Sequence, residues 1–548
     1  MSTLREPSLG PIVGNTSSNS CRIWIRGADS GEKGSALSED LRTIGILAVT
    51  AKDDKPIPED QQQAFYFRLH REYDRTGTFN LGVDRPFKAT RGAKYKLEPN
   101  MRYTVRAGSL ALDDARDNDE IVVSDELSSR LPNARAWLGD LNDLDPDRSE
   151  CSFTTFPAPG KIGKELRFLI GSCRYPGLAW KRKHSDRIFR PMLKEYMDPQ
   201  DEITPRFTLM VGDQIYADMF SRFIPLGLAD TYDEFQERYL TAFGSKGMRA
   251  LLANSTTYMI LDDHEIEDNW TQDRIHDRKK RLLFNIAITA YSSYQWSHSP
   301  RNYGRYLYYS YECAGYPFFV MDGRTQRYKG DDKDSLDDNH MLGIPSFRDD
   351  DPSQLQLVCN WLKEQQKKRG DAPKFLVTAS VFVPNGIKSV ASDSQKNKSD
   401  CWAAFPNTRR ELLDTIVSNN VQNVVFLSGD IHCTNVAEMT FSGTPEAAKL
   451  KAFSITSSAF YWPFFFADGE PSHYVHDSTH RKTRDTFTVN RNVTMDYKAY
   501  GFSQEDNYCQ VTVDKDSHSI LVRVKDHDGN PVTKRRRKLE PKLVLASW

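Results

Sequence analysis

No stretch of about 18 apolar residues occurs in this 548-residue chain, so no membrane-spanning helix is expected. The opening residues, from Met1 to Gly14, lack both the charged-then-apolar layout of a secretory leader and a twin arginine, and the expected location is the cytoplasm. No CxxC pair is present. The eight cysteines (Cys21, Cys151, Cys173, Cys313, Cys359, Cys401, Cys433 and Cys509) are scattered, which excludes a zinc ribbon or a thioredoxin-type redox site and leaves free thiols as the expectation. A GxxxxGK[ST] loop is also missing, which disfavours nucleotide-driven P-loop chemistry. Charge of one sign is not in excess. The 74 Lys and Arg against 75 Asp and Glu leave a net charge of −1, with no global field to hold nucleic acid or anionic lipid. No stable nucleic-acid partner is therefore expected.

What is present divides the chain in two. Residues 1–156 read as short strands between turn residues, with the alternating Cys21–Arg26, Ala64–His70, Tyr95–Leu97 and the turn-then-strand Leu97–Val105 as examples. They predict an all-β sandwich carrying an acidic insertion near 110–150, closed by a strand at Cys151–Thr155. Pro157-Ala158-Pro159-Gly160 makes a linker. Residues 163–548 change character, with continuous apolar runs that alternate with helical stretches and predict an α/β domain. Ser353 with Gln356, and Thr408 with Glu411, fit capping boxes. Tyr508–Val513 and Ile520–Val524 read as a hairpin, and Lys534–Lys538 as either a solvated strand end or a basic address.

The apolar runs end in chemistry. Phe168–Ile170 leads to Gly171-Ser172-Cys173-Arg174, Phe207–Val211 to Gly212-Asp213-Gln214-Ile215-Tyr216, and Tyr258–Leu261 to Asp262-Asp263-His264-Glu265. Phe318–Met321 leads to Asp322-Gly323-Arg324, and Val424–Leu427 to Ser428-Gly429-Asp430-Ile431-His432. Ligands collect beyond the C-terminal ends of such strands. Carboxylates crowded at one edge repel and require cations to stay ionised. Two cations sharing a bridging carboxylate, with Asp213 as the bridge, meet that requirement. Singly, an Asp after a strand is often only a turn former, and a Cys there only a small buried hydrophobe.

Taken with Asp218, Asp268-Asn269-Trp270, Asp400-Cys401-Trp402, Arg409 and the opening Gly10-Pro11-Ile12-Val13-Gly14, these motifs resemble the alkaline phosphatase D (PhoD) family of the calcineurin-like metallophosphatase superfamily. The likeness runs in order over most of the chain. It departs at Gly323, where Thr is more usual in the family, at Asp268-Asn269, where a doubled Asn is common, and in the missing export signal. The resemblance implies a metallophosphatase-type α/β sandwich of two central mixed sheets flanked by helices.

It also implies a binuclear or larger metal centre of Fe³⁺ with Ca²⁺, with Zn²⁺, Mn²⁺ or Mg²⁺ as substitutes. Cys173, Asp213, Tyr216 and His432 would surround the ferric ion. Asp213, Asp263, Asn269 and Asp430 would surround the second. Asp430 stands where the superfamily's GHxH motif carries a histidine, and a carboxylate there shifts preference from zinc towards calcium or magnesium. His264 falls at the catalytic histidine, as leaving-group acid or as a partner of a ligand carboxylate. Arg324 and Arg174 would clamp phosphate oxygens or form structural ion pairs. The implied reaction is hydrolysis of a small phosphoester by in-line attack of a metal-activated water. Alternatives are a phospholipase D-like diesterase, with Phe460–Phe466 as a lipid-facing rim or a packed loop, and an inactive ligand-binding member of the fold.

Overall fold

The computed structural model describes residues 3–28, 43–82, 95–112, 131–177, 183–198, 203–218, 228–346, 348, 351–390, 392–464 and 469–548. Near the N-terminus, the strands Leu9–Thr16, Ser20–Arg26 and Thr76–Gly82 form one antiparallel sheet. Thr3–Arg5, Thr43–Lys52, Lys55–Pro56, Ala64–Arg68, Arg102–Ala111 and Glu150–Thr154 form another. Ile23, Ile25, Leu47, Val49, Tyr103, Val105 and Phe153 fill the space between them. Ser20–Arg26 is buried along its whole length rather than on alternate residues. Its second face is covered by the helix Arg278–Tyr294, where Trp24 donates its indole N–H to the Ser293 carbonyl at 2.8 Å. Tyr95–Leu97 forms no strand, and the strand expected from Leu97 starts only at Arg102, after the left-handed Asn100. Of the acidic insertion, 113–130 lies outside the described residues. Leu138–Asp143 and Pro146–Ser149 are short helices, and Leu138 and Leu141 pack against Ile46 and Ala48.

Beyond residue 163 two mixed sheets face each other. In the first, Glu165–Gly171, Thr208–Met210 and Thr257–Met259 run parallel, and Asn507–Asp514, Ser519–Asp526 and Lys542–Val544 continue it antiparallel. In the second, Tyr316–Val320, Lys374–Val377, Val424–Ser428 and Ala452–Thr456 run parallel, with antiparallel strands at both edges. An aromatic layer joins them. Phe168 stacks on Phe207 at 5.0 Å, Phe318 on Phe375 at 4.5 Å, and Phe168 meets Phe318 edge-on at 5.6 Å.

The outer faces carry helices. Phe189–Met197 and Lys246–Asn254 place Phe189, Met192, Met248 and Leu251 on Leu169, Met210 and Met259. Gln354–Arg369 and Pro406–Ser418 place Val358, Leu362, Leu412 and Ile416 on Phe319, Leu376 and Phe426. The central strands are thus apolar on both sides, which is why they read as unbroken runs. Ser353 and Gln356 form the expected capping box. Thr408 does not cap its helix, because Pro406 already occupies the first turn; its hydroxyl accepts the Met341 N–H at 3.1 Å instead. Among the described residues no helix is long and apolar enough to cross a membrane.

Candidate metal centre

Four parallel strands stop at one place, and the turns that follow hold their side chains inward. The turns approach one another closely. A Cβ on Gly212 would meet Asp262 Cβ at 2.4 Å, and one on Gly429 would meet Ser172 Oγ at 2.3 Å, so only glycine fits at either position. The buried Glu265 carboxylate ties two of the turns together. It accepts the backbone N–H of Gln214 at 2.7 Å, of Asp262 at 2.9 Å and of Asp213 at 3.2 Å. Five of the seven expected ligands adopt left-handed backbone, with φ of 58° at Cys173, 55° at Asp213, 55° at Asn269, 69° at Asp430 and 50° at His432. Such conformations cost roughly 1–2 kcal/mol per non-glycine residue and cluster where function over-determines the geometry.

Ligand atoms of Cys173, Asp213 and His432 lie within 4.8 Å of one another, as do those of Asp213, Asp263 and His264, and those of Asp262, Asp263 and Asp430. Asp213 belongs to the first two groups and Asp263 to the last two. The Tyr216 hydroxyl lies 3.4 Å from Asp213 Oδ2 and 3.5 Å from His432 Nε2, and Cys173 Sγ lies 3.4 Å from the same Asp213 oxygen. Asn269 joins only through its backbone N–H, 2.5 Å from Asp263 Oδ2; its side-chain amide donates to Asp268 at 2.9 Å and is exposed.

The residues fit a pair of cations. Asp213 Oδ1, Asp262 Oδ2 and His432 Nδ1 are buried without a hydrogen-bond partner among the described residues. Buried polar atoms are rarely left so, and ligands or ions are a common resolution. The acids also hold their protons abnormally. Burial, reinforced by Asp262 and Asp263 against His264, pushes the Asp213 carboxyl well above the usual carboxylate range. Burial and then Asp213 push the Cys173 thiol and the Tyr216 phenol up. A cation among these donors reverses each shift. The donor chemistry splits into a sulfur, phenol, imidazole and carboxylate set on one side and an all-carboxylate set on the other.

Two arginines close the far side. Arg324, wholly buried, pairs with Asp262, lies 3.3 Å from Asp263, and forks onto Asp400 at 2.9 and 2.6 Å. Arg327 reaches the same Asp400 at 2.5 Å. Burial raises Asp263, but Arg324, His264 and the Asn269 N–H together hold it below the usual range. The Arg324 guanidinium thus lies on protein carboxylates, the ion-pair alternative of its two expected roles. Arg174 is not part of the cluster. Its guanidinium donates to Ser245 Oγ at 2.9 Å and lies 5.5 Å over the Phe189 ring. Asp322 serves its own turn, accepting the N–H groups of Arg324 and Thr325.

His264 is held between two partners. Its Nδ1 lies 2.6 Å from Asp218 Oδ1, and its ring stacks on Tyr216 at 4.3 Å. Burial lowers its affinity for a proton, but Asp218, Asp263 and Asp213 outweigh that and raise it well above the ordinary histidine value. The remaining oxygen of Asp218 accepts the Asp268 N–H at 2.6 Å. Sequence reasoning quoted Asp218, Glu265 and Asp400 without giving them roles, and it missed Arg327. A second Asp five residues after Asp213 was the one available signal.

The aromatic run folds against the cluster. Phe460 and Tyr461 are buried, and Trp462 stacks on His432 with ring centroids 3.6 Å apart. Phe465 and Phe466 lie outside the described residues. The basic run forms an exposed hairpin, Thr533–Lys534 paired with Arg537–Lys538, which is the strand-end reading.

A profile of the PhoD-like phosphatase family matches residues 180–519. The chain is 23% identical over 304 residues to alkaline phosphatase D of Bacillus subtilis (strain 168), a match that covers 51% of this chain and 48% of that protein. It thus spans about half the length of that curated relative. A solved structure described as that of PhoD superposes with a TM-score of 0.61 at 16% identity, over 98% of this chain and 89% of the other, a likeness of fold.

Proposed function

The chain belongs to the PhoD-like phosphatase family, and from that premise we propose that it is a metal-dependent hydrolase of small phosphoesters. The observation that carries the reading is the convergence of buried donors from four strand ends, with Asp213 shared between two groups and three of their polar atoms unpaired among the described residues. Cys173, Asp213, Tyr216 and His432 would hold Fe³⁺. Asp213, Asp263 and Asp430 would hold Ca²⁺ or another hard divalent ion, and the Asn269 amide would join them only by turning away from Asp268. Bound there, the cations supply Lewis acidity, activating water and neutralising phosphoryl charge for in-line displacement.

The protein's own groups do the rest. Asp218 fixes the ring of His264 through Nδ1, which leaves Nε2 as the proton donor to the departing oxygen. Arg324 and Arg327 act one step back, holding Asp262, Asp263 and Asp400 in register. Residues 1–156 are proposed as a β-sandwich unit and 163–548 as the catalytic unit. Hydrolysis of p-nitrophenyl phosphate, bis-p-nitrophenyl phosphate and phosphatidylcholine, measured with and without a chelator, tests the reading and separates monoester from diester preference. Absence of turnover on all three by metal-replete protein would overturn it.

A further inference from the structure

Trp462 stands on His432, one of the proposed metal ligands, its indole within 15° of parallel to the imidazole. Tyr175 and Phe464 meet the same indole edge-on at 5.6 and 5.1 Å, and Tyr216 lies tilted at 6.1 Å. Its backbone N–H donates to Asp506 Oδ1 at 3.0 Å, so the residue is anchored at both its main chain and its ring. Its indole N–H, however, is buried and has no acceptor among the described residues. Trp24 and Trp402 satisfy the same group on Ser293 O and Thr378 Oγ1. Trp270, Trp296 and Trp548 also bury an unpaired indole N–H, so that fact alone selects nothing. What selects Trp462 is the combination of a fixed donor and a ring lying on a residue of the metal cluster.

An indole offers one N–H and no acceptor, whereas the oxygens of a phosphoester accept and, when ionised, only accept. We propose that Trp462 binds substrate: its indole N–H donates a hydrogen bond to a phosphoryl oxygen held at the cluster, while its ring keeps the His432 imidazole in place. The inference rests on the phosphoester reading of the site. Asp218 and His264 move the proton; Trp462 moves none and contributes affinity and alignment. A donor to a charged oxygen makes a stronger bond than one between neutral groups.

Trp462→Phe removes the N–H and keeps an aromatic ring against His432. It should bind the same metal complement, raise KM for p-nitrophenyl phosphate roughly tenfold and change kcat by less than about threefold, the weight of one hydrogen bond to a charged group. Independently of turnover, the wild-type holoprotein labelled with 5-fluorotryptophan is titrated with inorganic phosphate and followed by ¹⁹F NMR. The Trp462 resonance, assigned by its absence in Trp462→Phe or, should that variant not fold, in Trp462→Tyr, should shift along the phosphate saturation curve. A wild type that hydrolyses phosphoesters while this resonance stays fixed under saturating phosphate overturns this inference alone. A wild type that neither hydrolyses nor responds to phosphate overturns the reading of the site, and this inference with it.

Discussion

Two acidic groups sit side by side at the same strand ends, and the protein treats them differently. Asp262, Asp263 and Asp400 are answered by Arg324 and Arg327, guanidinium against carboxylate with bidentate contact. Cys173, Asp213 and Tyr216 have no such partner. His432, the imidazole among them, is driven down to about 3 by burial and by His264, so it stays neutral. The first group is a closed ion network that stands on its own. The second is a socket with no guanidinium to answer it, only the His264 imidazole beside Asp213, which is the arrangement a cation site would need, and Asp263 and Asp430 lie where the two meet.

The largest expected effect breaks the socket. Asp213→Asn removes the shared carboxylate and should abolish nearly all turnover of p-nitrophenyl phosphate; full activity in that variant would end the bridging assignment. In metal-free protein the same change should cost no stability, because it removes a repelling charge. His264→Ala comes next. Rates should fall by about 10²–10⁴ with bound metal unchanged, the usual weight of general acid–base help. A loss of metal in parallel would make His264 a ligand instead.

Arg324→Met tests the closed network. It strands Asp262 and Asp263, leaves Asp400 to Arg327 alone, and should lower the denaturant-derived stability by about 3–5 kcal/mol even in metal-free protein, the cost of leaving buried charges without a partner. A neutral outcome would mean that the two groups do not differ.

The smallest effect uses burial alone as the baseline. His298 is fully buried, receives only a contact to the Tyr294 carbonyl at 3.1 Å, and is driven down to about 3 by desolvation, with Arg22 and Arg301 adding to it. The unfolded chain takes up that proton near its ordinary 6.5 while the folded chain refuses it until about 3. Its contribution is therefore intact above pH 6.5 and lost as pH falls towards 3. Between pH 7.5 and 4.5 the wild type should lose about 2–3 kcal/mol more than His298→Gln in urea unfolding. Equal losses would show that His298 is protonated in the folded state.

The strand ends were legible in sequence because a strand buried on both faces is an unbroken apolar run. The residue where it breaks, Cys173, Asp213, Asp262 or Asp430, is the one the sheet presents to the site. The order of ligands could be read in the same way. The arginine roles could not. Arg324 and Asp400 are 76 residues apart, and whether a guanidinium meets substrate or carboxylate depends on that long-range contact. Arg174 follows a cluster residue directly yet turns to Ser245. The burial of Ser20–Arg26 was hidden for the same reason, since its covering helix lies 269 residues onward by the Trp24-to-Ser293 bond and carries no local signal in the strand. The segment that carries Trp462 to His432 is tied down by the Phe460 N–H, which donates to Ser172 O at 2.7 Å, another contact between residues far apart in the chain.

Elemental analysis of the purified protein by inductively coupled plasma mass spectrometry, with wild type and Asp213→Asn prepared side by side, tests the socket most directly. Two or more cations per wild-type chain, iron among them, with a clear loss in Asp213→Asn, is the predicted result. A wild type free of metal after growth and dialysis in iron and calcium, with turnover undiminished, would contradict it.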